Sequence, residues 1–487
     1  MTLDSRQRWL ALYLLCLADI MIVLDTTIVN VALPAIGEDL GFSQASLAWV
    51  VNAYLLTFGG FLLLGGRLGD LFGHRRLFLI GIAIFTIASL ACGLANSQEF
   101  LIIARAAQGV GGAIVSVVVL SLLMIMFTEP AERAKAMGIV GFVLSGGGAV
   151  GVLLGGVITE IAAWNWIFLV NIPIGIAVFV WCLRLLPPDQ RMPGTERRLD
   201  LAGAITVTAA IMIAVYAIVN GNEEGWTSGQ TLGMLGAAAV LFAAFIVIEA
   251  RATAPLVPLR LFKRRNIATA NVIGLLMPGA MFGWFFLSAL YMQLVLGYSS
   301  LEVGLAFLPG TIIWGIASIA VSDRLVMRFG FKVPLLIGLG AFMIGLLLLA
   351  RAPVDGNYLI DILPSTIFFG IGGGITFNPL LLAAMGDATP MEAGLASGVV
   401  NTSFMFGGAL GLAVLASAAA ARTDDLLASG ESQAAALTGG YHLAFVIGAL
   451  FAAAAAVVGG LLLRPAAAPA HGMEPEPAGK PAGEPAT

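Results

Sequence analysis

One charged residue interrupts the apolar run from Leu101 to Met126, and it is Arg105. A lone arginine at the centre of a membrane helix costs roughly 3 kcal/mol on insertion scales, so its guanidinium must face the bundle interior, water or an acid. The plainest use of such a residue is an ion pair that locks helices together. The candidate acids are Asp19 and Asp25 in the first apolar run. A desolvated carboxyl can take a proton from one side of a barrier and release it to the other when its surroundings alternate. Six residues apart, the two carboxyls stand about 240° round a helix and cannot face the same cavity. Asp19 can equally be a second proton or cation site or a packing group.

These residues need long apolar elements to hold them. The 487 residues are 59% hydrophobic and 11% charged, with a mean hydropathy of +0.98. Soluble domains carry about 25% charge, so most of the chain must lie in lipid. Only helices and closed barrels satisfy their backbone there, and the apolar runs are too long and continuous for barrel strands. The expected fold is an all-α integral membrane protein with fourteen spans near 10–34, 47–66, 77–95, 99–127, 136–160, 167–186, 200–220, 231–250, 267–295, 302–321, 333–350, 359–384, 393–418 and 441–463. An even count puts both termini on one side. On this placement 21 of the 24 Lys and Arg residues fall on that side, two (Arg351 and Arg422) on the other, and Arg105 inside a span. The positive-inside rule then makes both termini cytoplasmic.

An internal repeat divides the chain. Leu40-Gly41-Phe42-Ser43 recurs as Leu296-Gly297-Tyr298-Ser299, and Asp70 to Arg76 is echoed by Asp323 to Lys332. Parallel repeats of this kind build one large class of secondary transporters. The expected units are a six-helix half at 1–186, a charged linker at 187–199, two additional helices at 200–250, a second six-helix half at 251–463 and a disordered tail at 464–487.

The stretch Gly65 to Arg76, GGRLGDLFGHRR, reads as a charged hairpin between two spans. Its glycines permit a tight turn, and Asp70 offers a carboxylate to a nearby helix N-terminus or to Arg75 and Arg76. Gly66, Asp70, Gly73, Arg75 and Arg76, with the echo at Asp323 and Arg324, are the candidate gating residues. Charge alone would satisfy topology; the acid and the glycines, repeated in the second half, point to a structural gate.

Enzyme chemistry finds no support. The three cysteines (Cys16, Cys92, Cys182) sit in separate apolar runs, and with three histidines there is no Cys-x-x-Cys or His-Glu-x-x-His spacing. No Ser/His/Asp cluster and no Gly-x-x-x-x-Gly-Lys-Ser/Thr loop for nucleotide phosphates occurs, so no metal, cofactor or ATP is expected.

Gly66 to Arg76 resembles the signature loop between helices 2 and 3 of the major facilitator superfamily nearly throughout. Leu101 to Gly109 (LIIARAAQG) resembles that superfamily's helix 4 motif, and Leu24 to Pro34 (LDTTIVNVALP) the helix 1 motif of its fourteen-helix drug:proton antiporter branch. Gly138, Gly147, Gly151, Gly155 and Gly156 carry the helix 5 antiporter spacing, with Val152 where proline is usual and Asn165 in place of the arginine of Trp-Arg-Trp. The resemblance implies two six-helix halves plus two inserted helices, proton transfer involving Arg105, and Asp25 as the protonated group. Asp19 remains a second candidate.

The expected function is proton-coupled export of hydrophobic or amphiphilic drugs or antibiotics across the cytoplasmic membrane. The alternative is a dedicated exporter of one metabolite or self-made antibiotic. The candidate substrate contacts are Asn30, Asn52, Tyr54 and Gln108 in the first half and Phe282, Trp284, Gln293, Trp314, Asn378 and Asn401 in the second. The expected partners are a small-molecule substrate, protons and the lipid bilayer, with no nucleic acid; the expected state is a monomer.

Overall fold

The computed structural model describes residues 5–127, 129–186, 189, 200–253, 255–386 and 392–464. Among the described residues fourteen long helices follow one another: α1 Ser5–Leu40, α2 Trp49–Phe72, α3 His74–Gly93, α4 Gln98–Met126, α5 Pro130–Ile161, α6 Asn171–Leu185, α7 Leu201–Glu224, α8 Gly229–Arg251, α9 Arg265–Leu290, α10 Ser300–Ile316, α11 Lys332–Leu349, α12 Leu363–Met385, α13 Ala393–Ala428 and α14 Gln433–Leu462. Short turns extend α6, α9, α10 and α12, among them the π-helical Tyr291–Val295 and the helical Asp323–Phe329. Among the described residues thirteen helices are long and apolar enough to cross a membrane. The fourteenth, α5, has 32 residues and carries the apolar stretch Val150–Ile161.

The spans fall where the apolar runs place them, but several helices overrun the runs. α1 reaches Leu40 and α13 reaches Ala428, because polar residues beyond the lipid core still close helical hydrogen bonds. On the side away from the termini, serines hold helix starts by accepting the first free backbone N–H groups: Ser97 from Phe100, Ser228 from Thr231 and Ser432 from Ala435. Ser299 and Glu302 form a reciprocal capping box at the start of α10.

The two halves pack alike. In the first, α1 packs on α5 and α6, and α4 on α2 and α3; in the second, α9 packs on α13 and α14, and α12 on α10 and α11. The halves meet by exchange of equivalent helices, α5 against α10 and α2 against α13. The inserted pair packs on itself and, through α7, against α2 and α13, covering one of the two seams. The repeat is visible in the backbone: Gly41 and Gly297 share φ 72°, and Gly73 and Gly330 have φ 98° and 71°.

The glycine-rich stretch is not a loop. Helix α2 runs on through Gly69 to Phe72, Gly73 alone makes the turn in a left-handed conformation that favours glycine, and α3 begins at His74. The same correction applies to the echo, where Asp323–Phe329 is helical and Gly330 turns the chain. Most of the linker and all of the tail from 465 lie outside the described residues, as do the side chains of Arg67 and Asp70.

Candidate functional site

Arg105 reaches from α4 to the core of the first half. Its Nη1 stands 2.5 Å from Asp25 Oδ2 and donates to Gln108 Oε1 at 2.7 Å, while its Nε donates to the Val50 carbonyl of α2 at 2.9 Å. Asp25 is fully buried and Arg105 is 1% exposed. The carboxylate also accepts from Gln108 Nε2 at 2.7 Å and from Asn171 Nδ2 of α6 at 3.2 Å, and Gln108 Nε2 lies 2.9 Å from Ser89 Oγ of α3. The guanidinium carbon sits 4.5 Å from the centre of the Tyr54 ring and 5.5 Å from that of Phe168. Five helices thus converge on one charge pair. Because α1 to α4 and α6 each contribute, the pair is buried within the first half and away from either seam.

This placement redistributes the expected residues. Gln108 and Tyr54 belong to the charge cluster, and sequence reading missed Asn171, Ser89 and Phe168, which join it. Their signal is weak: each is an ordinary polar or aromatic residue inside an apolar run. Asp19 is 5% exposed, points away from Asp25 as the helical arc requires, and makes no hydrogen bond among the described residues. Asn30 donates to the carbonyls of Thr26 and Thr27 in its own helix. Asn52 is fully buried, with both amide atoms unpartnered among the described residues. It shares a helical face with Leu55, Gly59 and Leu63, the residues of α2 that meet Gly408, Met405 and Gly398 of α13.

The aromatic set of the second half divides in two. Trp284 is buried, stacked on Phe369 at 3.9 Å between ring centres, with its indole N–H donated to Ser365 Oγ at 3.0 Å. Trp314 packs on Phe369 and Phe342 in the same cluster. Phe282 lies elsewhere, edge-on to Phe404, whose other edge meets Phe377, and beside Leu55 of the first half. Asn378 and Asn401 are half-buried, and Asn401 donates to Ser397. Gln293 reaches across the halves and donates to the Val31 carbonyl of α1 at 2.9 Å. A second bond between the halves, Gln44 Nε2 to Tyr441 OH at 2.7 Å, lies on the same side, away from the termini.

Close packing fixes α1. A Cβ on Gly147 would meet Val23 at 3.0 Å, on Gly151 the Leu24 carbonyl at 3.1 Å, and on Gly155 the Ile28 carbonyl at 2.7 Å, while Gly156 faces α10 with the Ser300 carbonyl at 2.6 Å. The glycines therefore let α5 approach α1 and the second half at once, as small residues do between membrane helices. Gly138 lies outside the residues whose surroundings are described.

At the turn end, an acid that serves the α3 N-terminus is Asp189 of the linker, which accepts from the Arg75 and Arg76 backbone N–H groups at 2.8 and 3.1 Å. Arg75 Nη2 donates to the Leu183 carbonyl of α6. Gly66 packs against Val117 of α4, and Asp323 and Arg324 are exposed without an ion pair among the described residues. No group of three metal-ligating side chains occurs among the described residues.

Comparison with known proteins agrees with this architecture. The chain is 41% identical over 407 residues to the cephamycin export protein CmcT of Amycolatopsis lactamdurans, covering 83% of this chain and 84% of that protein. It is 39% identical to the puromycin resistance protein pur8 of Streptomyces alboniger, covering 91% and 89% of the two chains. The fold is similar to that of a bacterial homologue of the human lysosomal transporter Spinster, with a TM-score of 0.65 at 16% identity over 94% of this chain and 97% of that one. Residues 15–412 match the family described as Major Facilitator Superfamily. The chain is therefore a multi-pass membrane transporter and not an enzyme, and it belongs to the Major Facilitator Superfamily.

Proposed function

We propose that this transporter exports hydrophobic or amphiphilic antibiotics and other drugs across the cytoplasmic membrane in exchange for protons, as a monomer with both termini in the cytoplasm. The observation that carries the coupling is the buried Asp25–Arg105 pair, linked to α1 and α2, two helices that touch the other half. Asp25 lies on α1, whose Val31 carbonyl accepts from Gln293, and Arg105 holds the Val50 carbonyl of α2, whose opposite face meets α13. A proton on Asp25 would cancel its charge and release Arg105 to its carbonyl and amide partners. That change loosens α1 from α4 and so biases the contacts that close the outer side. The Gln293–Val31 and Gln44–Tyr441 bonds between the halves support a state closed on that side.

The names of the two relatives favour antibiotics as cargo and also support the second reading, a dedicated exporter, because each name carries one antibiotic, cephamycin or puromycin. The test is accumulation of a compound panel in cells with and without the protein, each with and without a protonophore. Export of several chemically unrelated compounds supports a broad range; export of one supports the dedicated reading. Export that survives collapse of the proton gradient overturns the coupling, as does full activity of Asp25→Asn at equal membrane level.

A further inference from the structure

A cavity of about 730 Å³ lies between the inserted helices and the seam they cover, walled by α2, α7, α8, α9 and α13. The central charge cluster does not touch it, and none of the roles assigned above uses it. Three features define what it can hold. Its walls are almost wholly apolar, with Ala210, Ala238, Phe242 and Phe406 among them. Along α13 it runs from Val399 to Leu410, which is about 16 Å of helix, and a single leaflet's share of a hydrocarbon core of roughly 30 Å is about the same. One edge is basic: in the turn Leu259–Lys263, Leu259 and Phe262 line the cavity while their neighbours Arg260, 73% exposed, and Lys263 are exposed.

We propose that this cavity is a binding site for an anionic phospholipid of the leaflet on the side of the termini, with an acyl chain in the slot and the phosphate against Arg260 and Lys263. A slot one leaflet deep suits an alkyl chain better than a compact drug, and basic residues at the interface select an anionic headgroup. Thr402 supports the assignment: its Oγ1 is buried on the wall, about one turn inward from Val399, without a partner among the described residues, and can donate to an ester carbonyl. The nearby acids leave that edge basic. Glu392 is shared between Arg260 and Arg264, and Glu249, whose Oε2 accepts from the Val257 N–H, does not line the cavity. A lipid so placed fastens the inserted pair to α2 and α13, the helices of one seam.

The test uses the full chain purified in mild detergent and incubated with phosphatidylglycerol or phosphatidylcholine, with bound lipid read by native mass spectrometry; no transport is needed, so the outcome is independent of the export reading. One tightly held phosphatidylglycerol is expected, retained at least tenfold better than phosphatidylcholine. Ala238→Phe, which fills the slot, should abolish retention of both, and the surface variant Arg260→Gln/Lys263→Gln should remove the preference while leaving the fold intact. Equal retention of the two lipids by the unaltered chain, or undiminished retention by a folded Ala238→Phe, overturns the proposal. Displacement of the lipid by an exported drug, blocked by Ala238→Phe, also overturns it, in favour of a drug site.

Discussion

Arg105 Nη1 and Asp25 Oδ2 stand 2.5 Å apart with both side chains buried, and no other charged side chain bonds either of them among the described residues. Removing one partner of such a buried pair costs roughly 3–5 kcal/mol, because the survivor keeps its charge without compensation. Asp25→Asn and Arg105→Gln should each lower the thermal unfolding temperature in detergent. The double variant should recover much of that loss and still fail to export against a proton gradient, which separates stability from coupling.

The two tryptophan and phenylalanine neighbours on α9 should behave differently. Trp284→Ala removes a buried stack and an indole hydrogen bond, a loss of roughly 3–5 kcal/mol, and should appear as poor yield and a low unfolding temperature. Phe282→Ala, at the boundary between the halves, should change the ranking of compounds in a growth-inhibition panel with a much smaller stability loss.

Gly155 and Gly148 make a paired test of helix approach. Gly155→Leu pushes a side chain into the Ile28 backbone and should cost roughly 1–3 kcal/mol by overpacking. Gly148→Ala meets only the Thr27 methyl, at 4.0 Å, and should be neutral or stabilising by up to about 1 kcal/mol. Differential scanning fluorimetry of the two variants checks both signs.

Asp189→Asn removes a negative charge from the start of α3 and should cost roughly 0.3–1 kcal/mol, less at high salt. Hydrogen exchange in the first turn of α3 should rise selectively, with little change in α4.

Closure on the side away from the termini can be read through Gln44 and Tyr441. Tyr441→Phe loses one hydrogen bond worth about 1 kcal/mol, or roughly fivefold in the population of the open form. The three native cysteines are buried, so a reporter at Asn30→Cys should react about fivefold faster with an impermeant thiol reagent from that side.

The spans, the two halves and the inserted pair were legible because apolar run length is a strong signal that lipid imposes residue by residue. Arg105 and Asp25 were legible as costly charges, and the helical arc correctly separated Asp19 from Asp25. Their company was not legible. Gln108 and Tyr54 looked like cavity residues, and Asn171 and Ser89 like nothing in particular, because which polar groups meet depends on how helices are rotated in the bundle. Trp284 illustrates the same limit, since an aromatic residue in a span has the same sequence signature whether it lines a cavity or fills a core. The turn at Gly73 was visible as glycine-rich, but run-length reading ended α2 too early because Arg67 and Asp70 broke the apolar pattern while the helix continued.

That turn has a mechanical consequence. With Gly73 the single residue between α2 and α3, and Asp189 clasping the start of α3, the two helices form a crank with almost no slack. Any tilt of α2 at its seam with α13 must swing α3, and with it the Asp189 carboxylate that holds its first turn. Lengthening the turn by a few flexible residues would insert a slipping clutch: both helices would still cross the membrane, but motion at the seam would no longer be delivered to the rest of the bundle.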